Sequence, residues 1–93
     1  MQLHLGKHEE AIKCYDKVIE IDPEDTAAWN NKGLALSDLG KHEEAIKCFD
    51  KVLEIDPEYP FAWYNKGVAL RQLEKPEEEI KCYDKVKELK DKD

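Results

Sequence analysis

Apolar residues return along this chain at helical spacing, in two alternating kinds of segment. Between Glu44 and Ile55, the residues Ala45, Ile46, Phe49, Val52 and Leu53 recur three, four and seven positions apart, with Lys and Glu between them. That is the stripe of an amphipathic helix. Between Ala28 and Leu39, the residues Trp29, Leu34, Ala35, Leu36 and Leu39 form a second, broader stripe. Gly40 stands between the two, where a left-handed residue ends one helix and turns the chain. Asp56-Pro57 stops the second helix, because the residue before proline avoids the helical region and proline brings no N–H donor. Pro60 and Pro76 suit the first turn of the helices that follow. Glu9→Lys13, Glu43→Lys47 and Glu77→Lys81 are helical pairs four apart in the favoured order, each contributing about 0.2–0.5 kcal/mol. No alternating strand pattern competes.

The pattern repeats. His8-Glu9-Glu10-Ala11-Ile12-Lys13-Cys14 returns letter for letter at His42–Cys48, and nearly so at Pro76–Cys82. A constant interval of 34 residues separates Cys14, Cys48 and Cys82, and also Gly6 from Gly40, Asp22-Pro23 from Asp56-Pro57, Trp29 from Trp63 and Gly33 from Gly67. Each period is one helix pair that cannot bury its apolar face alone, so it leans on the next. Gly33 and Ala45 are small where two antiparallel helices approach. Trp29 and Trp63 each bring about 150–250 Å² of surface to fill the space between neighbouring pairs. The prediction is an all-α solenoid of stacked antiparallel helix pairs, in one array over residues 1–93. It divides into a partial first unit (1–25, mainly its second helix), a complete second unit (26–59) and a third (60–93).

These residues resemble the tetratricopeptide repeat (TPR) family, whose pattern is W-x2-L-G-x2-Y, then A-x3-F, then P. The second unit reads Trp29-x2-Lys32-Gly33-x2-Leu36, Ala45-x3-Phe49 and Pro57, and the third reads Trp63-x2-Lys66-Gly67-x2-Leu70 and Glu79-x3-Tyr83. Lys32 and Lys66 depart from the usual leucine, and Leu36 and Leu70 from the tyrosine. Glu74 stands where Gly40 would repeat and Glu79 where Ala45 would, which puts the final turn and helix contact in question.

The two ends differ. Counting back one period from Trp29 passes Met1, so the first unit keeps only about Met1 to Leu5 of its first helix. Its second helix still carries Ala11, Ile12, Tyr15, Val18 and Ile19, an apolar face without its partner. Fully burying one such large side chain is worth about 1.5–3 kcal/mol, a sizeable part of a small domain's stability. Two expectations follow: the chain is part of a longer array, or it associates with itself through this face. At the other end Lys87 replaces Ile19 and Leu53, and Lys90-Asp91 replaces Asp-Pro, so the last helix is expected to present a wetter, capping surface.

Composition narrows the function. Lys+Arg total 15 against 22 for Asp+Glu, a net charge of −7. A nucleic-acid binder needs a basic face to displace counterions, so nucleic acid is excluded as an expected partner and an anionic membrane surface is disfavoured. Basic peptides are the electrostatically favoured partners. Three cysteines at regular spacing do not make a disulfide framework. No apolar run approaches the roughly 20 residues that span a bilayer, and no secretory leader is evident. A reduced, cytoplasmic protein is expected.

Catalytic chemistry finds little support. His8-Glu9-Glu10-Ala11-Ile12 begins like a HExxH zinc helix, but Ile12 occupies the second histidine position, and His42 fails in the same way at Ile46. Cysteines one period apart are too far from each other to share an ion at ~2.3 Å per sulfur. No nucleophile triad, phosphate loop or dinucleotide motif occurs. No catalytic residue, metal or cofactor is expected.

The resemblance implies a protein-interaction scaffold that holds a peptide in a concave groove lined by the first helix of each pair. The family's groove positions correspond to Asn30, Asn31, Leu34, Ser37 and Asp38 in the second unit, and to Phe61, Tyr64, Asn65, Val68, Arg71 and Gln72 in the third. Chaperone-binding members grip a C-terminal carboxylate with a lysine and an asparagine one turn apart. Asn30 and Tyr64 hold the lysine position here and Leu34 and Val68 the asparagine position, leaving only Asn65, so a carboxylate clamp is not expected.

Overall fold

A helix with one apolar stripe needs a surface to lie against, and each helix here finds it in its neighbour along the chain. The structure, a computed structural model, describes residues 2–92, with side chains from Gly6 onward. Among the described residues five helices follow one another: α1 (Gln2–Ile21), α2 (Thr26–Asp38), α3 (His42–Ile55), α4 (Pro60–Gln72) and α5 (Pro76–Asp91). No strand occurs among the described residues. The pairs α2·α3 and α4·α5 form the hairpins, α1·α2 and α3·α4 form the joints between units, and α2 also reaches α4. The result is the predicted all-α solenoid, in a body 38 × 30 × 18 Å.

Within each hairpin, a glycine admits an aromatic ring. A Cβ on Gly33 would stand 2.5 Å from the Phe49 ring, and one on Gly67 would stand 2.6 Å from the Tyr83 ring. Phe49 is fully buried and joins Leu36, Ala45, Cys48 and Ala69 in the core, with Ile12, Trp29 and Ile46 packed against it.

The joints repeat atom for atom. The Trp29 indole donates to the Pro23 carbonyl and the Trp63 indole to the Pro57 carbonyl, each at 2.8 Å. Lys32 Nζ lies 5.7 Å from the Trp29 ring and 2.7 Å from Asp16 Oδ1. Lys66 copies this at 5.9 Å from Trp63 and 2.7 Å from Asp50. The two lysines that depart from the family pattern are therefore stitches, tying each first helix to the second helix of the preceding unit. In the loops, Asp22 and Asp56 each accept the N–H two residues on, at 3.1 Å. Asp25 caps α2 by accepting from Ala28 N–H at 3.0 Å.

The final turn, in question because Glu74 replaces Gly40, repeats the first. Gly40 has φ 82° and Glu74 φ 58°. Lys41 N–H donates to Leu36 O at 2.8 Å, and Lys75 N–H donates to Leu70 O at 3.0 Å. Packing and hydrogen bonding impose the left-handed turn on a residue that disfavours it. Glu79, in the place of Ala45, is half-buried beside Tyr83.

At the first unit the structure departs from expectation. Met1 lies outside the described residues, but α1 runs unbroken from Gln2 through Gly6, with no turn at the counterpart of Gly40. A few residues cannot nucleate a helix of their own and are more stable as an extension of one already formed.

Candidate functional site

Two surfaces merit attention: the groove on the α2/α4 side and the open face of α1. The groove encloses about 370 Å³. From α2 it receives Asn30 and Leu34, from α4 Pro60, Phe61, Tyr64 and Asn65, and from α5 Val86 and Lys90.

Local structure sets each wall. Tyr64 rests on Tyr83, ring centroids 5.8 Å apart, and Tyr83 in turn occupies the space that Gly67 leaves open. The missing Cβ of Gly67 thus positions an aromatic side chain in the groove. Phe61, two residues into α4, meets the Tyr59 ring edge-on at 6.2 Å. The floor is a hydrogen bond between helices: Asn65 Nδ2 donates to Asn30 Oδ1 at 3.1 Å. Phe61 and Tyr64 remain 69% and 53% exposed, apolar surface held in water by their backbones. Burial pushes the Tyr83 phenol above its ordinary pKa, and the neighbouring Glu79 carboxylate adds to the effect.

Of the groove residues anticipated from sequence, the structure gathers Asn30, Leu34, Phe61, Tyr64 and Asn65 around this space. It does not bring Asn31, Ser37, Asp38, Val68, Arg71 or Gln72 to its walls. Asp38 instead lies 3.8 Å from His8 Nε2. Asn30, expected as a groove residue, is 7% exposed, and its oxygen accepts from Asn65. Val86 and Lys90 were missed, because only first helices were expected in the groove. A signal existed: Lys90 falls one period after Asp56 and two after Asp22, the one unit where that register changes charge.

On α1 the predicted apolar set divides. Asp16 pairs with Lys32, and Ile12 on the same side packs against the core, so Ile12 is not on the open face. Ala11, Tyr15 and Ile19 are half-buried. Val18 is exposed where its counterpart Val52 is fully buried, and Cys14 is exposed where Cys48 is buried. All three cysteines are free thiols, and burial pushes Cys48 and Cys82 above the ordinary thiol pKa. Among the described residues no cluster of three or more His, Cys, Asp or Glu side chains could hold a metal ion, and no helix is long and apolar enough to cross a membrane.

Tetratricopeptide repeat models match residues 26–59 and 48–81, and a TPR repeat model matches residues 3–40. The chain belongs to the TPR family. Among solved structures it is similar to the first TPR of Spaghetti (RPAP3) bound to the HSP90 peptide SRMEEVD, at 32% identity and TM-score 0.89. That match covers 95% of this chain and 70% of the other. The second TPR of the same protein, bound to the same peptide, is 31% identical with TM-score 0.86, over 90% of this chain and 78% of the other. MamA shares the fold at 24% identity and TM-score 0.89, over 92% of this chain. This TPR chain spans half the length of that MamA chain. Comparison with curated proteins gives no match.

Proposed function

We propose that this TPR chain is a non-enzymatic scaffold that holds a peptide, or a peptide segment of a protein, in the groove between α2 and α4. The observation that carries the reading is the trio Leu34, Phe61 and Tyr64, large apolar side chains left exposed around one concave space. An apolar concavity with a few fixed polar groups is the usual form of a recognition site. TPR relatives of about the same similarity bind a peptide, which supports the class of ligand. The free thiols suit a reducing, cytoplasmic setting. The net charge of −7 favours partners with basic residues outside the groove, by steering their approach.

The groove does not act as a carboxylate clamp in this reading. Asn30 and Tyr64 supply no cation at the lysine position, and Leu34 and Val68 supply no amide one turn on. Peptides selected from a random display library on the wild-type chain should lose at least tenfold in affinity, about 1.4 kcal/mol, against Phe61→Ala/Tyr64→Ala. Circular dichroism should confirm that the double variant stays folded. Selected binders indifferent to both substitutions would overturn groove binding. SRMEEVD as free acid and as C-terminal amide should bind with equal affinity, and a large loss on amidation would reinstate the clamp.

A second reading, self-association through α1, rests on the exposed Cys14 and Val18. Sedimentation equilibrium should show a concentration-dependent dimer that Val18→Glu abolishes. A strict monomer at high concentration removes it.

A further inference from the structure

We infer that the groove selects a peptide segment in which a bulky apolar residue is flanked by an acidic side chain, with Lys90 as the group that reads the acid. The inference rests on the proposed groove binding and adds the chemistry of the ligand. Among the described residues, Lys90 is the one charged residue in the groove wall. Its neighbour Lys92 is already engaged, 3.2 Å from Glu58 Oε2, whereas Lys90 makes no ion pair among the described residues.

The position is built by a break in the repeat. At the same register Asp22 and Asp56 each turn the chain out of its helix by accepting the N–H two residues on. With Lys90-Asp91 in place of Asp-Pro, α5 continues to Asp91 and carries an ammonium to the groove. Val86, one helical turn earlier, lines the same space. An apolar anchor among Leu34, Phe61, Tyr64 and Val86 therefore has a cation beside it.

The floor adds a backbone contact. The bond to Asn30 uses one N–H of Asn65, leaving its second N–H and its oxygen for a peptide N–H and C=O. A chain-terminal carboxylate is held by several converging donors, while one exposed ammonium suits an ordinary Asp or Glu side chain. The overall charge of −7 acts on approach; the contact is decided by the group within reach.

The test uses acetylated, amidated hexapeptides: Gly-Gly-Leu-Glu-Gly-Gly and Gly-Gly-Glu-Leu-Gly-Gly, with Gln and Lys versions of each. Each is titrated at low salt into the 15N-labelled chain and into Lys90→Glu. The favoured Glu peptide should bind about two- to fivefold tighter than its Gln version, the range of one exposed ion pair, with the Lys version weaker still. Lys90→Glu should reverse the order, and added salt should flatten it in both proteins. Shifts at Leu34, Tyr64 and Asn65 that do not depend on peptide charge would overturn the acidic preference and leave groove binding standing. No shift with any peptide would overturn both.

Discussion

Helices α1 and α3 share the heptapeptide His-Glu-Glu-Ala-Ile-Lys-Cys yet live in different surroundings. In α3, Ala45, Cys48, Phe49 and Val52 are buried, enclosed by α2 on one side and α4 on the other. In α1, Cys14 and Val18 are exposed and Ala11 and Tyr15 half-buried, and among the described residues only α2 packs against this helix. Identical letters thus acquire different energies. Burial in a stacked array belongs to the neighbours, and the local sequence supplies only the capacity for it.

The widest contrast should appear when the two aromatic positions are truncated. Phe49→Ala removes a fully buried ring and should cost about 3–5 kcal/mol in urea denaturation, several times the loss for Tyr15→Ala. Equal losses would mean that α1 is covered in solution. Thiol reactivity reads the same difference without a mutation. Cys14 should alkylate about a hundredfold faster than Cys48 or Cys82, which react only through local opening. Because burial raises the two inner thiols, their neutral form belongs to the fold. Their contribution to stability is present below the ordinary thiol pKa and lost as pH rises through the elevated values. Protection of Cys14 that grows with protein concentration would favour association through α1.

Next in size is the glycine pair. Gly33→Ala pushes against a fully buried ring and should cost about 1–3 kcal/mol. Gly67→Ala meets the half-buried Tyr83, which has room to yield, so its thermal midpoint should fall less. The smallest effect is a gain: Glu74→Gly relieves a left-handed residue and should stabilise by about 1 kcal/mol. A loss there would show that Glu74 makes a compensating contact.

Much of the fold was legible because the helix signals are local. Periodicity, Gly40, Asp56-Pro57 and the two helix-starting prolines mark the helices, and the exact recurrence of Trp29 at Trp63 marks the stacking. Glu74 was harder to read, since a turn enforced by packing on both sides overrides the preference of the residue within it. The groove was half legible. Leu34, Phe61 and Tyr64 follow from the family pattern, but Asn30 and Asn65 satisfy each other across helices, a pairing that needs the stacking geometry. Val86 and Lys90 enter from a helix that sequence alone assigns to the outside.

The lysine–aspartate stitch has an implication for building with this chain. Both halves of the fastener, Asp16 or Asp50 and Lys32 or Lys66, recur within a single period, as do the tryptophan and the carbonyl it grips. A gene concatenating residues 26–59 head to tail carries every part of its own seam, so each added copy docks without redesign and lengthens the rod by one identical click.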